Sequence, residues 1–119
     1  MEPSADSRRP LGVTRVANEV VAWIAVLTVL QVPGVHAMYQ AAGQSLGRVL
    51  RRSSAHRGAR VELRDGTTLD IDLHVVLLAG HSAPRVGAEI QRRVADAVER
   101  MLGLEVRNID VHISEVVFA

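Results

Sequence analysis

Cysteine is missing from all 119 residues, which excludes disulfides, thiolate catalysis and cysteine-based zinc sites together. Lysine is missing too. All 14 basic residues are Arg, and a GC-rich coding bias accounts for that without invoking the planar carboxylate and phosphate contacts that Arg favours. Aromatics are nearly missing, with one Trp, one Tyr and one Phe. The core must therefore be Val, Leu, Ile and Ala, and there is no aromatic ladder on which bases could stack. Charge of one sign is not in surplus: the net charge of +1 is too near neutral to demand nucleic acid as a partner. The longest apolar run, Val20 to Leu30, stops at Gln31 and Pro33, short of the ~20 residues that a spanning helix needs. No nucleophile elbow surrounds Ser45, Ser53, Ser54 or Ser82, and no Gly-rich phosphate loop or RNA-binding signature occurs. The chain reads as no enzyme, with no catalytic residue, cofactor or small-molecule substrate expected.

What is present is enough for one core. Hydrophobic residues make up 48% of the chain, and the length suits one domain. Residues 1–10 are polar with two prolines and read as a disordered tail, leaving 11–119 as the domain. Ser7-Arg8-Arg9-Pro10-Leu11 has the look of a twin-arginine export signal, with Val35-His36-Ala37 as a small-residue cleavage site. Against export, Glu19 abuts the apolar run, Asn18-Glu19 suits a helix start, and cleavage would remove the best core helix.

Periodicity then orders the elements. Gly12 to Ala17 suits a short strand. Asn18 is placed to cap a helix that runs to about Gln31, where Pro33-Gly34 stops it. The stretch from His36 to Gly58 is long for a connection, with a short helix expected over Ser45 to Arg52. Ala59 to Arg64 and Thr68 to Leu78 read as strands joined by an Asp65-Gly66 turn. A second helix starts at Ser82, with Pro84 in its first turn, and ends at Gly103. Its stripe is Val86, Ile90, Val94, Ala97, Val98, Met101 and Leu102, and Glu89–Arg93 and Asp96–Arg100 are i,i+4 pairs. Leu104 to Ser114 is the last strand, followed by an apolar tail, Val116-Val117-Phe118. The sum is an α/β fold: a small two-layer β-α-β-β-α-β domain, one four-stranded sheet with two helices on one face.

Several of these segments together carry a resemblance. They are Glu19-Val20-Val21-Ala22, Ile24-Ala25, Val32-Pro33-Gly34-Val35, Asp72-Leu73, Ser82-Ala83-Pro84-Arg85-Val86, Met101-Leu102-Gly103-Leu104 and the ending Val111-His112-Ile113 with Val116-Val117-Phe118. Their order and spacing from Gly12 to Phe118 resemble the alkaline-shock, or envelope-stress-response, family of mainly Gram-positive bacteria. The resemblance implies a non-enzymatic protein of cell-envelope homeostasis that self-associates and docks to small membrane-anchored partners, cytoplasmic but close to the membrane. The chain departs from the family at Trp23, where relatives usually carry a small or charged residue.

Three groups of residues are candidates for function. Val20, Val21, Trp23, Ile24, Val26, Leu27, Val29 and Leu30 place apolar groups nearly all round the first helix. One face can bury against the sheet and the rest needs another cover. Trp23, Val26 and Leu30 are the expected partner-binding residues; the alternative is a loop over 38–50 folding across them. Arg48, Arg51, Arg52, Arg57 and Arg60, with His56 and Arg64 nearby, form a basic segment over 48–64 suited to anionic lipid heads, an acidic partner or nucleic acid. The rival function is therefore a nucleic-acid-binding module, and the bland alternative a solvated loop. Asp70, Asp72 and His74 share one face of their strand, as do Asp110, His112 and Ser114. Close strands would gather a metal-ligating or acid–base set there, but a solvated sheet face predicts the same alternation, and no metal is expected.

Overall fold

The computed structural model describes residues 16–40, 54–56, 58–64, 66 and 68–118. Its central element is the strand Thr68–Leu78, whose sequence alternates apolar and polar groups over its first seven residues. In a strand that alternation sends Leu69, Ile71, Leu73, Val75 and Leu77 to one face, where all five are buried. Numbered in chain order, the elements are α1 (Asn18–Val29), β1 (Val35–Met38), β2 (Ser54–His56), β3 (Ala59–Arg64), β4 (Thr68–Leu78), α2 (Ala83–Leu102) and β5 (Glu105–Val117).

β4 is shared by three neighbours. β5 runs parallel along its whole length, from Thr68↔Glu105 to Leu78↔Val117. The other edge is divided: β3 pairs antiparallel with residues 68–73, and β1 pairs antiparallel with residues 75–77. His74 marks the junction, its carbonyl accepting from Tyr39 N at 2.8 Å and its N–H donating to Gly58 O at 2.9 Å. β2 continues the sheet beyond β3. The parallel pair β4–β5 is closed by α2, the helical crossover that parallel strands require.

Both helices lie on one face of the sheet. α2 buries Val86, Ile90, Val94, Ala97 and Val98, and α1 buries Val21, Ala22, Ala25, Val26 and Val29. These side chains join the inward residues of β3, β4 and β5 in one aliphatic cluster. Ser82 caps α2 by accepting from Arg85 N at 3.4 Å, and Gly103, at φ +70°, ends it. Glu89–Arg93 and Asp96–Arg100 form as i,i+4 pairs at 2.5 and 3.3 Å.

The α/β two-layer architecture is therefore as the pattern implies, while several details differ. The sheet has five strands, because β2 and all but the first residue of β1 lie in the stretch from His36 to Gly58 that its composition marks as a connection. Of the strand expected over Gly12 to Ala17, residues 12–15 lie outside the described residues, and Val16 and Ala17 are not in a strand. The helix expected over 45–52 also lies outside them. Asn18 is not the cap of α1. It is the first helical residue, and its Nδ2 donates to Val61 O at 3.4 Å, tying the helix to β3, while Ala17 takes the cap position without a side-chain bond. Val116 and Val117 belong to β5 rather than to a tail. Met101, in the last turn of α2, is exposed although it continues the helix's apolar stripe.

Candidate functional site

The outer face of α1 is an apolar stripe at the surface. Val20, Trp23, Leu27 and Leu30 are 44%, 41%, 51% and 45% exposed. Their spacing of three, four and three residues keeps them on one side of the helix, the same interval that makes a helix–helix seam. Opposite them, Val21, Ala22, Ala25, Val26 and Val29 fill the core. Of the expected partner-binding residues, Trp23 and Leu30 lie on this stripe and Val26 does not. Val26 is 1% exposed, three positions from both Trp23 and Val29 and turned inward with Val29, so it packs the core. Val20 and Leu27 belong to the stripe as well. The signal for them is the three-four-three spacing in the sequence, once the inward face is known. Arg93 Nη1 donates to Gln31 O at 3.5 Å, fixing the end of α1 against α2, so the stripe is carried on a braced helix.

The basic segment is only partly visible. Arg48, Arg51, Arg52 and Arg57 lie outside the described residues. Arg60 is half-buried on β3, opposite Asp72 of β4.

The open face of the sheet gathers the alternating polar residues as their spacing implies. The parallel register sets Asp72 beside Asp110 and His74 beside His112. The two imidazoles stack, centroids 4.4 Å apart and planes within 11°. His112 Nε2 lies 3.8 Å from Asp72 Oδ1, and His74 Nδ1 is 3.3 Å from Ser114 Oγ. Partial burial and then the adjacent His112 hold His74 below the usual histidine pKa, with Asp72 pulling the other way. At one end of this face Asp70 takes Arg107 and Arg64 together, Arg107 through two bonds of 3.2 Å. The hydrogen bond from Arg107, and after it that from Arg64, keep the Asp70 carboxyl below its ordinary value, against the effect of desolvation. Among the described residues no group of three or more His, Asp or Glu is placed to hold a metal ion. Alternation of this kind is that of a sheet face turned to solvent.

The comparisons agree with this architecture. The model of the alkaline-shock protein family, described as having a cell envelope-related function, matches residues 6–118. Two uncharacterized proteins of Bacillus subtilis (strain 168) are similar: YqhY, 28% identical over 108 residues that make up 91% of this chain and 79% of YqhY, and YloU, 24% identical over 115 residues, 95% of each chain. Among solved structures, MamM-CTD 215-293 aligns with a TM-score of 0.51 at 16% identity, covering 83% of this chain and 99% of its own. A copper form of the MamM CTD aligns at 0.53 and 13% identity, covering 85% of each. At such identity the likeness is one of fold.

Proposed function

The chain belongs to the alkaline-shock protein family, and from that premise we propose that it serves cell-envelope homeostasis as a non-enzymatic scaffold, using the outer face of α1 to contact other proteins. The observation that carries this reading is the stripe of Val20, Trp23, Leu27 and Leu30 on a helix whose opposite face is already committed to the core. Covering a Trp or Leu side chain fully is worth about 2 kcal/mol, so a partner that covered these half-exposed groups would gain several such contributions in part. The partner is a small membrane-anchored protein or another copy of the chain, which puts the domain on the cytoplasmic side near the membrane. No described helix is long and apolar enough to cross a membrane.

Trp23→Glu tests the assignment. Trp23 lies off the core, so the variant should fold while losing co-purification of the membrane partner from native cells. A folded Trp23→Glu protein with unchanged assembly and partners would sink it. Nucleic acid that survives moderate salt in the purified complex, with no membrane protein present, would favour the basic segment over 48–64 instead.

A further inference from the structure

β5 ends the sheet. Leu73 directs its N–H and C=O towards β5, because His74 directs its own to Tyr39 and Gly58 on the other edge. In a parallel ladder Leu73 then bonds to the residues either side of its partner Val111. The N–H and C=O groups of Ile109, Val111 and Ile113 therefore point outward, away from the sheet. The Ile109 carbonyl is met by Gln91 Nε2 at 3.0 Å; among the described residues no strand takes up the rest of the row. Burial falls off along the same line. Ile71, Leu73 and Val75 are sealed, and of their β5 partners Ile109 is buried while Val111 and Ile113 are half-exposed. A long edge of this kind is a template for another strand.

The sequence of β5 specifies which strand. Around Val111 it is self-complementary when run against itself: Asp110 falls opposite His112, Ile109 opposite Ile113, Asn108 opposite Ser114, Arg107 opposite Glu115 and Val106 opposite Val116. The pairings set apolar against apolar, neutral polar against neutral polar, Arg against Glu and a carboxylate against an imidazole that can hydrogen-bond it, with no like charges directly opposed. The two irregularities of β5 obey the same symmetry. Its register against β4 skips Arg107 near one end and Ser114 near the other. The pair Arg107-Asn108 at the first bulge thus lies opposite Ser114-Glu115 at the second, and facing residues stay on a common face through both. The exposed apolar end also finds a place. Val116 and Phe118 are 46% and 85% exposed. On the second copy they would run past Val106, beside an open pocket of about 230 Å³ lined by Gln91, Ala95, Val106, Arg107, Asn108 and Ile109.

We propose that β5 pairs antiparallel with the β5 of a second copy about a two-fold axis through Val111, joining the two sheets into one. The contact is isologous, so it closes as a dimer. It uses the sheet edge and not α1, so it does not rest on the assignment of the Trp23 stripe.

Because the chain has no cysteine, single thiols report the register directly. In the proposed pair the two Val111 Cα atoms lie about 5.5 Å apart, within disulfide reach. Full-length Val111→Cys should form a disulfide dimer under mild oxidation. Asn108→Cys and Ser114→Cys should not cross-link alone but should when mixed. Sedimentation of the wild-type chain should show a dimer, and Glu115→Arg, which sets Arg against Arg twice, should raise its dissociation constant about tenfold. Trp23→Glu should leave the Val111→Cys cross-link intact. A monomeric wild type at tens of micromolar, or equal cross-linking at 108, 111 and 114, overturns the proposal. So does a dimer that Trp23→Glu abolishes and the Val111→Cys thiol fails to trap, a result that would leave the α1 reading standing.

Discussion

Gly58 sits where β1 and β3 meet on the edge of β4, and a single methyl group there tests whether that junction is as tight as the geometry says. Its φ is +87°, and a Cβ built on it would lie 2.5 Å from the Tyr39 carbonyl oxygen and 3.0 Å from that of His74. Gly66, in the turn between β3 and β4, is the natural control: φ is +79° and nothing lies within 4 Å of a Cβ. At both positions alanine meets the left-handed penalty of about 1–2 kcal/mol, offset by about 0.4–1 kcal/mol from the stiffened unfolded chain. Gly66→Ala should therefore cost about 1 kcal/mol. Gly58→Ala carries the same cost plus about 1–3 kcal/mol of overpacking, because both obstacles are backbone oxygens, which cannot rotate away as a side chain could, and that of His74 is held by Tyr39 N. For 119 residues the unfolding entropy converts 1 kcal/mol into about 4 °C, so the two variants should melt about 4 °C and about 8–16 °C below wild type. Thermal and urea unfolding by circular dichroism measure both. Equal midpoints for Gly58→Ala and Gly66→Ala would refute the close approach at the junction, leaving only the cost of a positive φ.

Leu73 is fully buried at the centre of β4, and Leu73→Ala should cost about 3 kcal/mol through lost burial and a residual cavity, read as a lower urea midpoint at unchanged m-value. His74 has its pKa depressed by burial and by His112, so the fold favours its neutral form; the stability this brings is complete above the ordinary histidine value of 6.5 and is lost as pH falls through the lower folded value. Urea midpoints at pH 7.5 and 5 should therefore fall less in His74→Gln than in wild type, and parallel losses would count against the stacked pair. Asp70 is depressed by Arg107 and Arg64, so its contribution is present above its ordinary value of 3.8 and lost as pH drops below it. Asp70→Asn should lower stability at pH 7, less so in 1 M salt, and the gap to wild type should shrink as pH falls below 3.8; a gap that does not change with pH would mean the loss is not one of charge.

The elements legible in the sequence are those whose period is long enough to repeat. α2 offers five turns of stripe, a Ser cap and a terminal Gly, and β4 offers alternation across a buried strand; both are legible to the residue. β1 and β2 are four and three residues long, too short for period two to stand out, and they borrow their stability from the longer strands beside them, β4 and β3. Asn18 misleads because an amide at a helix start serves equally well as a cap or as a donor to a neighbouring strand, and only the approach of Val61 decides. Val26 misleads for a related reason. With apolar groups nearly all round α1, composition cannot say which third of the helix faces in.

That all-round apolar character and the polar open face have one origin in the chain order. α1 lies over β2 and β3 and against α2, which leaves its far side at a margin of the helical layer. β5 enters last, by a crossover, on the edge of β4 that β1 and β3 leave open. The fold therefore exposes an apolar helix stripe at one margin and, at the other, a strand edge that no strand among the described residues takes up. A substitution on either should perturb its own contact first, because Trp23 and Val111 sit on different elements, one in the helical layer and one in the sheet. The scaffold we propose would have two separable surfaces, the edge of β5 to pair the protein with itself and the α1 stripe to attach it.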